Sequence, residues 1–173
     1  MRRAQRLQLA LLVTVAVLAA AVLWTRQHRA ASAAPEHLLP FTADQVDRIE
    51  IKTRTGVLRR FEKHADAWQM LAPDKGAAND AHLQRLARIA GAKVLRWRPA
   101  GEFDLAKIGL DPPWAMVTLN GQRLEFGTLA ALAPQRYVKI GDHIALIPSR
   151  YAADIAATPD SELAAAASTL PRL

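Results

Sequence analysis

The sequence predicts an α+β fold, antiparallel β-meanders with short helices, behind one N-terminal transmembrane helix. Three observations carry this. An uncharged apolar run from Leu9 to Trp24 is flanked by arginines. Beyond Leu38, short runs of alternating apolar and polar residues are broken at Thr55-Gly56, Asn120-Gly121 and Gly141-Asp142, the pattern of half-buried strands joined by tight turns. Between them, Leu83, Leu86, Ala87 and Ala90 recur at the spacing of one buried helical stripe.

The apolar run comes first. Leu9–Trp24 holds five Leu, four Val and five Ala, and from Leu7 to Trp24 a helix would span about 27 Å, enough for a bilayer core. Trp24 stands where an interfacial aromatic belongs, and arginines on both sides can reach headgroups. Arg2, Arg3 and Arg6 precede the run and Arg26 and Arg29 follow it. The slight excess before it places the N-terminus in the cytoplasm and the body in the periplasm of a bacterial inner membrane. A cleaved signal peptide is the rival reading, with Ala31-Ser32-Ala33 as a small-residue cleavage site. These arginines also explain the net charge of +7: setting the five aside leaves 18 basic against 16 acidic residues. The basic composition is therefore no argument for nucleic acid. Cysteine is absent, which excludes disulfides, thiolate metal sites, lipidation at a lipobox and a cysteine nucleophile.

Four segments follow: an anchor over 1–29, a linker over 30–37, one α+β domain over 38–157 and an Ala-rich tail over 158–173. The domain opens with a capped turn at Phe41–Val46. Strands are expected at Val46–Arg54, Val57–Lys63 and Trp68–Leu71. A helix begins at the N-cap Asn79 or Asp80 and closes at Gly91. Lys93–Arg98 is the next strand. The second half repeats the plan: a hairpin through Asn120-Gly121, a hairpin through Gly141-Asp142, and a short helix over Ser149–Ile155. The chain thus reads as two similar β-rich halves, a candidate duplication. Pro159 suits the first position of a further helix, and the Ala-rich residues Glu162–Ser168 are expected to form a marginal helix or to fray.

The halves meet at a hinge. Phe103, Leu105 and Ile108 suggest a short amphipathic helix that stops at Gly109, read as the residue after the C-cap. Leu110, Asp111, Pro112 and Pro113 complete the hinge, because the prolines lack amide donors and disfavour helix before them.

Several of these pieces resemble one bacterial family. They are Val46-Asp47-Arg48-Ile49-Glu50-Ile51, then Trp68-Gln69-Met70 with Pro73, Asn79-Asp80, Phe103-Asp104-Leu105 and Ile108-Gly109-Leu110-Asp111-Pro112-Pro113. Phe126-Gly127 and Arg136-Tyr137-Val138-Lys139 complete the series. In this order, over Leu38 to Ile155, they resemble the family called domain of unknown function 4340. The resemblance implies a membrane-anchored or exported envelope protein. It also implies an auxiliary role beside ABC-type export or gliding-motility systems, and it carries no catalytic residues.

The residues themselves offer little chemistry. Histidines 28, 37, 64, 82 and 143 form no metal-binding spacing. There is no Gly-x-Ser-x-Gly elbow, Walker loop or dinucleotide fingerprint. Asp44, Asp47 and Glu50 read as turn-capping and strand-edge carboxylates. Trp68, Trp97 and Trp114 read as core aromatics. No cofactor, nucleic acid or small-molecule substrate is expected. Two basic patches remain as candidate contacts to anionic surfaces, Arg59 with Arg60 on one strand and Arg96 with Arg98 on another. The expected function is therefore a non-enzymatic accessory or docking subunit whose partners are the membrane and a protein of an inner-membrane complex. The alternatives are a module for anionic polymer or lipid headgroups, and an enzyme without a recognisable motif.

Overall fold

The computed structural model describes residues 35–65, 67–131 and 134–163. The chain divides into two units, 1–34 and 35–173. The expected anchor, with Leu7 and Trp24 at its ends, lies outside the described residues. Among those described, no helix is long and apolar enough to cross a membrane.

The body is α+β, as expected: an antiparallel sheet with a few short helices. Its strands are β1 (Arg48–Thr53), β2 (Arg59–His64), β3 (Ala67–Ala72), β4 (Gly76–Ala77), β5 (Arg96–Pro99), β6 (Ala115–Leu119), β7 (Gln122–Leu129), β8 (Gln135–Ile140) and β9 (His143–Pro148). Helix α1 (Asp80–Ala87) follows β4, and α2 (Ala152–Ile155) and α3 (Pro159–Glu162) follow β9. The strands form one nine-stranded sheet in the order β4-β3-β2-β1-β6-β7-β8-β9-β5. The hinge therefore does not separate two sheets. β1 and β6 pair directly, Ile49 opposite Leu119 and Ile51 opposite Val117, and a meander runs outward from each.

Strand alternation sets the inner face. Ile49, Ile51, Phe61, Met70, Val117, Leu119, Leu124, Phe126, Val138 and Ile147 are all buried in one core. Helix α1 packs Leu83, Leu86 and Ala87 into it. Eight residues are too few for a helix to stand alone, so α1 depends on that burial, roughly 1.5–3 kcal/mol for each leucine. Asn79 caps it as expected, its side chain accepting from the His82 amide at 3.1 Å. Trp68 is in the core, while Trp97 and Trp114 are partly buried against it.

Two expectations are corrected. The helix ends at Ala87 with Arg88 as C-cap, and Gly91 is not among the positive-φ glycines. The chain instead tightens through bonds from Ile89 to Leu86 and from Ala90 to Ala87, leaving the Ala90 and Ala92 carbonyls to accept from Leu39 and Leu38. That entering segment also spends Lys93 and Val94, which shortens the expected strand to Arg96–Pro99. The tail begins as expected with a short helix at Pro159. Its first residues, Thr158 to Leu163, dock on the body through an Asn79 amide bond to the Glu162 carbonyl at 2.7 Å and an Ala78–Leu163 bridge. Residues 164–173 lie outside those described.

At the hinge, the expected helix is a single turn. Asp104 caps it weakly, accepting from the Lys107 amide at 3.4 Å. The Gly109 amide bonds the Ala106 carbonyl and the Leu110 amide bonds the Leu105 carbonyl, the paired closure of a Schellman motif. Gly109 has φ +67°, as its position after the C-cap requires. The Asp111–Pro112 peptide is cis, within a turn closed by a Leu110–Pro113 bridge. The turn docks on β7 at a shift in register between Phe126 and Leu129. There the Ile108 carbonyl accepts from the Thr128 amide at 2.9 Å and its hydroxyl at 3.0 Å.

Two glycines permit this approach. A Cβ on Gly127 would lie 2.4 Å from the Ile108 carbonyl oxygen, and one on Gly109 would lie 2.5 Å from Thr128 Cγ2. Gly121, at φ +84° in the Asn120-Gly121 turn, faces open space. Gly121→Ala should therefore cost only its left-handed backbone, about 1 kcal/mol. Gly109→Ala and Gly127→Ala add a steric clash and should each cost roughly 2–3 kcal/mol. Urea unfolding should rank both well beyond Gly121→Ala; three equal losses would mean the hinge is not seated on β7.

Candidate functional site

Three groups of polar residues are candidates for function: a buried ionic cluster, the exposed arginines, and a groove where the chain enters the body.

The cluster begins with Arg59. It shares the inward face of β2 with Phe61 and is 3% exposed, so the expectation that it contacts anionic surfaces is corrected. Its guanidinium donates to the Ile155 carbonyl at 2.6 Å and the Ala157 carbonyl at 2.5 Å, and pairs with the carboxylate of Glu162. Glu162, from α3, is fully buried. His82, from α1, places Nε2 3.4 Å from Glu162 Oε1 and Nδ1 3.0 Å from Arg85 Nη2. Arg85 in turn donates from Nε to Asp154 of α2 at 2.9 Å. A carboxylate beside an imidazole suggests acid–base chemistry, but all three central groups are sealed from solvent. The cluster ties α2 and α3 to β2 and α1.

The other arginines of the predicted patches do not gather. Arg60 pairs across strands with Glu50 at 2.9 Å, and Arg98 pairs with Glu102 at 3.1 Å. Arg96 is exposed. Arg60 belongs to β2, third strand from one edge of the sheet, whereas Arg96 and Arg98 lie on β5, the opposite edge. The hinge residues Gly109, Leu110, Asp111, Pro112 and Pro113 are structural. Arg54 steadies them by donating to the Pro112 carbonyl at 2.6 Å. Nearby, Arg136 lies 4.7 Å from the Trp114 ring centroid and donates to the Gly127 carbonyl. Burial pushes its guanidinium down from its ordinary value.

The groove has a volume of about 710 Å³. Leu39, Pro40 and Phe41 of the entering chain form one wall, and Tyr151 and Arg150, just before α2, face them with Arg88 from the end of α1. Arg150 lies 5.0 Å from the Tyr151 ring centroid and donates to its hydroxyl at 3.0 Å. Neither Arg88 nor Arg150 pairs with a carboxylate among the described residues. An apolar recess with two uncompensated guanidiniums suits an anion with an apolar part. Sequence reasoning missed this site because its residues come from three distant segments. Among the described residues no group of three or more His, Asp or Glu side chains is placed to hold a metal ion.

No family model, curated protein or solved structure matches the chain.

The cluster can be tested by a double-mutant cycle. Arg59→Met or Glu162→Leu alone leaves a buried charge without its partner and should destabilise by about 3–5 kcal/mol. The double substitution should recover most of that loss. Additive losses in denaturant melts would show that the two side chains do not act as a pair.

Proposed function

We propose that the chain is a membrane-anchored protein of the bacterial envelope. Its body lies on the periplasmic side of the inner membrane and serves as a non-catalytic docking subunit of a membrane complex. The observation that carries this reading is the uncharged run Leu9–Trp24 with arginines on both flanks, which suits a single membrane span.

The resemblance to domain of unknown function 4340 points the same way and suggests an ABC-type transporter as the complex. The motifs behind it fall at positions with structural work to do: Gly109 at positive φ, Gly127 under the hinge, Asn79 as a helix cap. The proposed duplication has support in the topology. Each meander, β1–β4 and β6–β9, leaves the central pair outward and is followed by a short helix.

A phosphatase that is active only in the periplasm, fused after Leu173, should be active in cells. A cytoplasm-only fluorescent reporter at the same place should stay dark; the reverse result would overturn the orientation. Membranes solubilised in mild detergent should yield the full chain in a species larger than itself on native gels, containing an ATPase and a permease. Migration as a free single chain would count against the docking role.

A further inference from the structure

We infer that the groove of Leu39, Phe41, Arg88, Arg150 and Tyr151 binds one anionic phospholipid, its phosphate between the two guanidiniums and the start of an acyl chain against the apolar wall. Both charges lack carboxylate partners among the described residues, and they face the same recess. A guanidinium matches a phosphate in geometry as well as charge. At about 710 Å³ the recess has the size of a site for a drug-sized molecule, enough for a headgroup and part of one chain.

The walls argue against a peptide as the occupant. A bound extended peptide takes its affinity from free backbone groups at an edge. Here Pro35 and Pro40 have no amide hydrogen, and the Leu38 and Leu39 amides are spent on Ala92 and Ala90. The groove offers charge and apolar surface and few backbone donors. Given the anchor proposed above, reach favours a lipid too. Pro35, at the groove, is eleven residues beyond Trp24, so a fully extended chain keeps it within about 40 Å of the membrane interface.

The test uses the full chain, delipidated in a neutral detergent. It is titrated with dioleoyl phosphatidylglycerol, dioleoyl phosphatidylcholine or inorganic phosphate, and adducts are counted by native mass spectrometry. A single phosphatidylglycerol adduct is expected, at least about tenfold tighter than that of phosphatidylcholine. Inorganic phosphate alone should bind far more weakly, since it lacks the apolar part. Arg88→Glu with Arg150→Glu should weaken the phosphatidylglycerol adduct by about tenfold or more, while Arg88→Lys with Arg150→Lys, which keeps the charge and loses the planar fork, should fall between that pair and the unaltered chain. If the glutamate pair fails to fold by circular dichroism, Arg88→Gln with Arg150→Gln takes its place. Equal binding of the two lipids, or an adduct unchanged in the charge-reversed chain, would overturn the proposal. So would phosphate binding as tightly as the lipid. In cells, a photo-crosslinking residue at Phe41 should capture lipid; capture of a polypeptide instead would assign the groove to a protein and overturn it. None of these results depends on the reporter fusion or the native gel.

Discussion

The pairing of β1 with β6 is the constraint on which the rest of the body depends. It joins two meanders, separated in sequence by a helix, a strand and the hinge, into one sheet with one inner face. Asn120 secures the junction. As the first left-handed residue of the β6–β7 turn, at φ +47°, it accepts the Asp47 and Arg48 amides at 2.9 and 3.0 Å and donates to the Gln45 carbonyl at 2.6 Å. One turn residue thus shapes a hairpin and fixes the start of the strand beside it. A one-residue slip of β1 would turn Ile49 and Ile51 outward and Glu50 inward, so side-chain burial and the Asn120 clamp enforce the same register.

Given that sheet, the remaining elements are covers for its inner face and closures for its ends. The outer face is held by cross-strand charge pairs, Arg48 with Glu62, Arg60 with Glu50 and Lys139 with Glu125. The exposed pairs among them, Arg48–Glu62 and Arg60–Glu50, add little energy, but they keep the face wet. The edges are short and awkward to extend: β4 has two residues, and β5 carries Arg96, Arg98 and Pro99. Charge and proline at an edge discourage further pairing. The inner face, by contrast, buries Arg59 almost completely, where Glu162 and two carbonyls answer it. That exchange converts a polar side chain on a buried strand position into an attachment point for the end of the chain.

The groove arises from the same economy of elements. The entering segment must pair with the turns after α1 to satisfy its own backbone, and this brings Leu39 and Phe41 opposite Tyr151. Arg88 and Arg150 stay at the margin because each follows or begins a helical turn whose apolar residues face inward. The proposed lipid site is thus a place where the packing leaves two guanidiniums at the margin of an apolar recess without carboxylate partners among the described residues.

Much of the fold was legible from residue pattern. Alternation located most strands because period two and burial on one face are local properties. Asn79, Gly109 and Asn120-Gly121 were legible as punctuation, since caps and left-handed turns are decided within a few residues. Arg59 was misread as a surface contact although it stands two residues from Phe61 on the inward face. Whether an inward arginine meets water or a carboxylate depends on Glu162, about a hundred residues away. The groove was hidden for the same reason, as was the fusion of the two halves through β1 and β6. By itself, then, the sequence determined the α+β class, the turns, the caps and the inward residues, because these follow from steric and hydrophobic preferences over a few neighbours. The tertiary structure alone decided that there is one sheet, that Arg59 and Glu162 neutralise each other, and that Arg88 and Arg150 face a common recess. Pairing between distant segments is set by which surfaces can be buried together, and no local pattern encodes that choice.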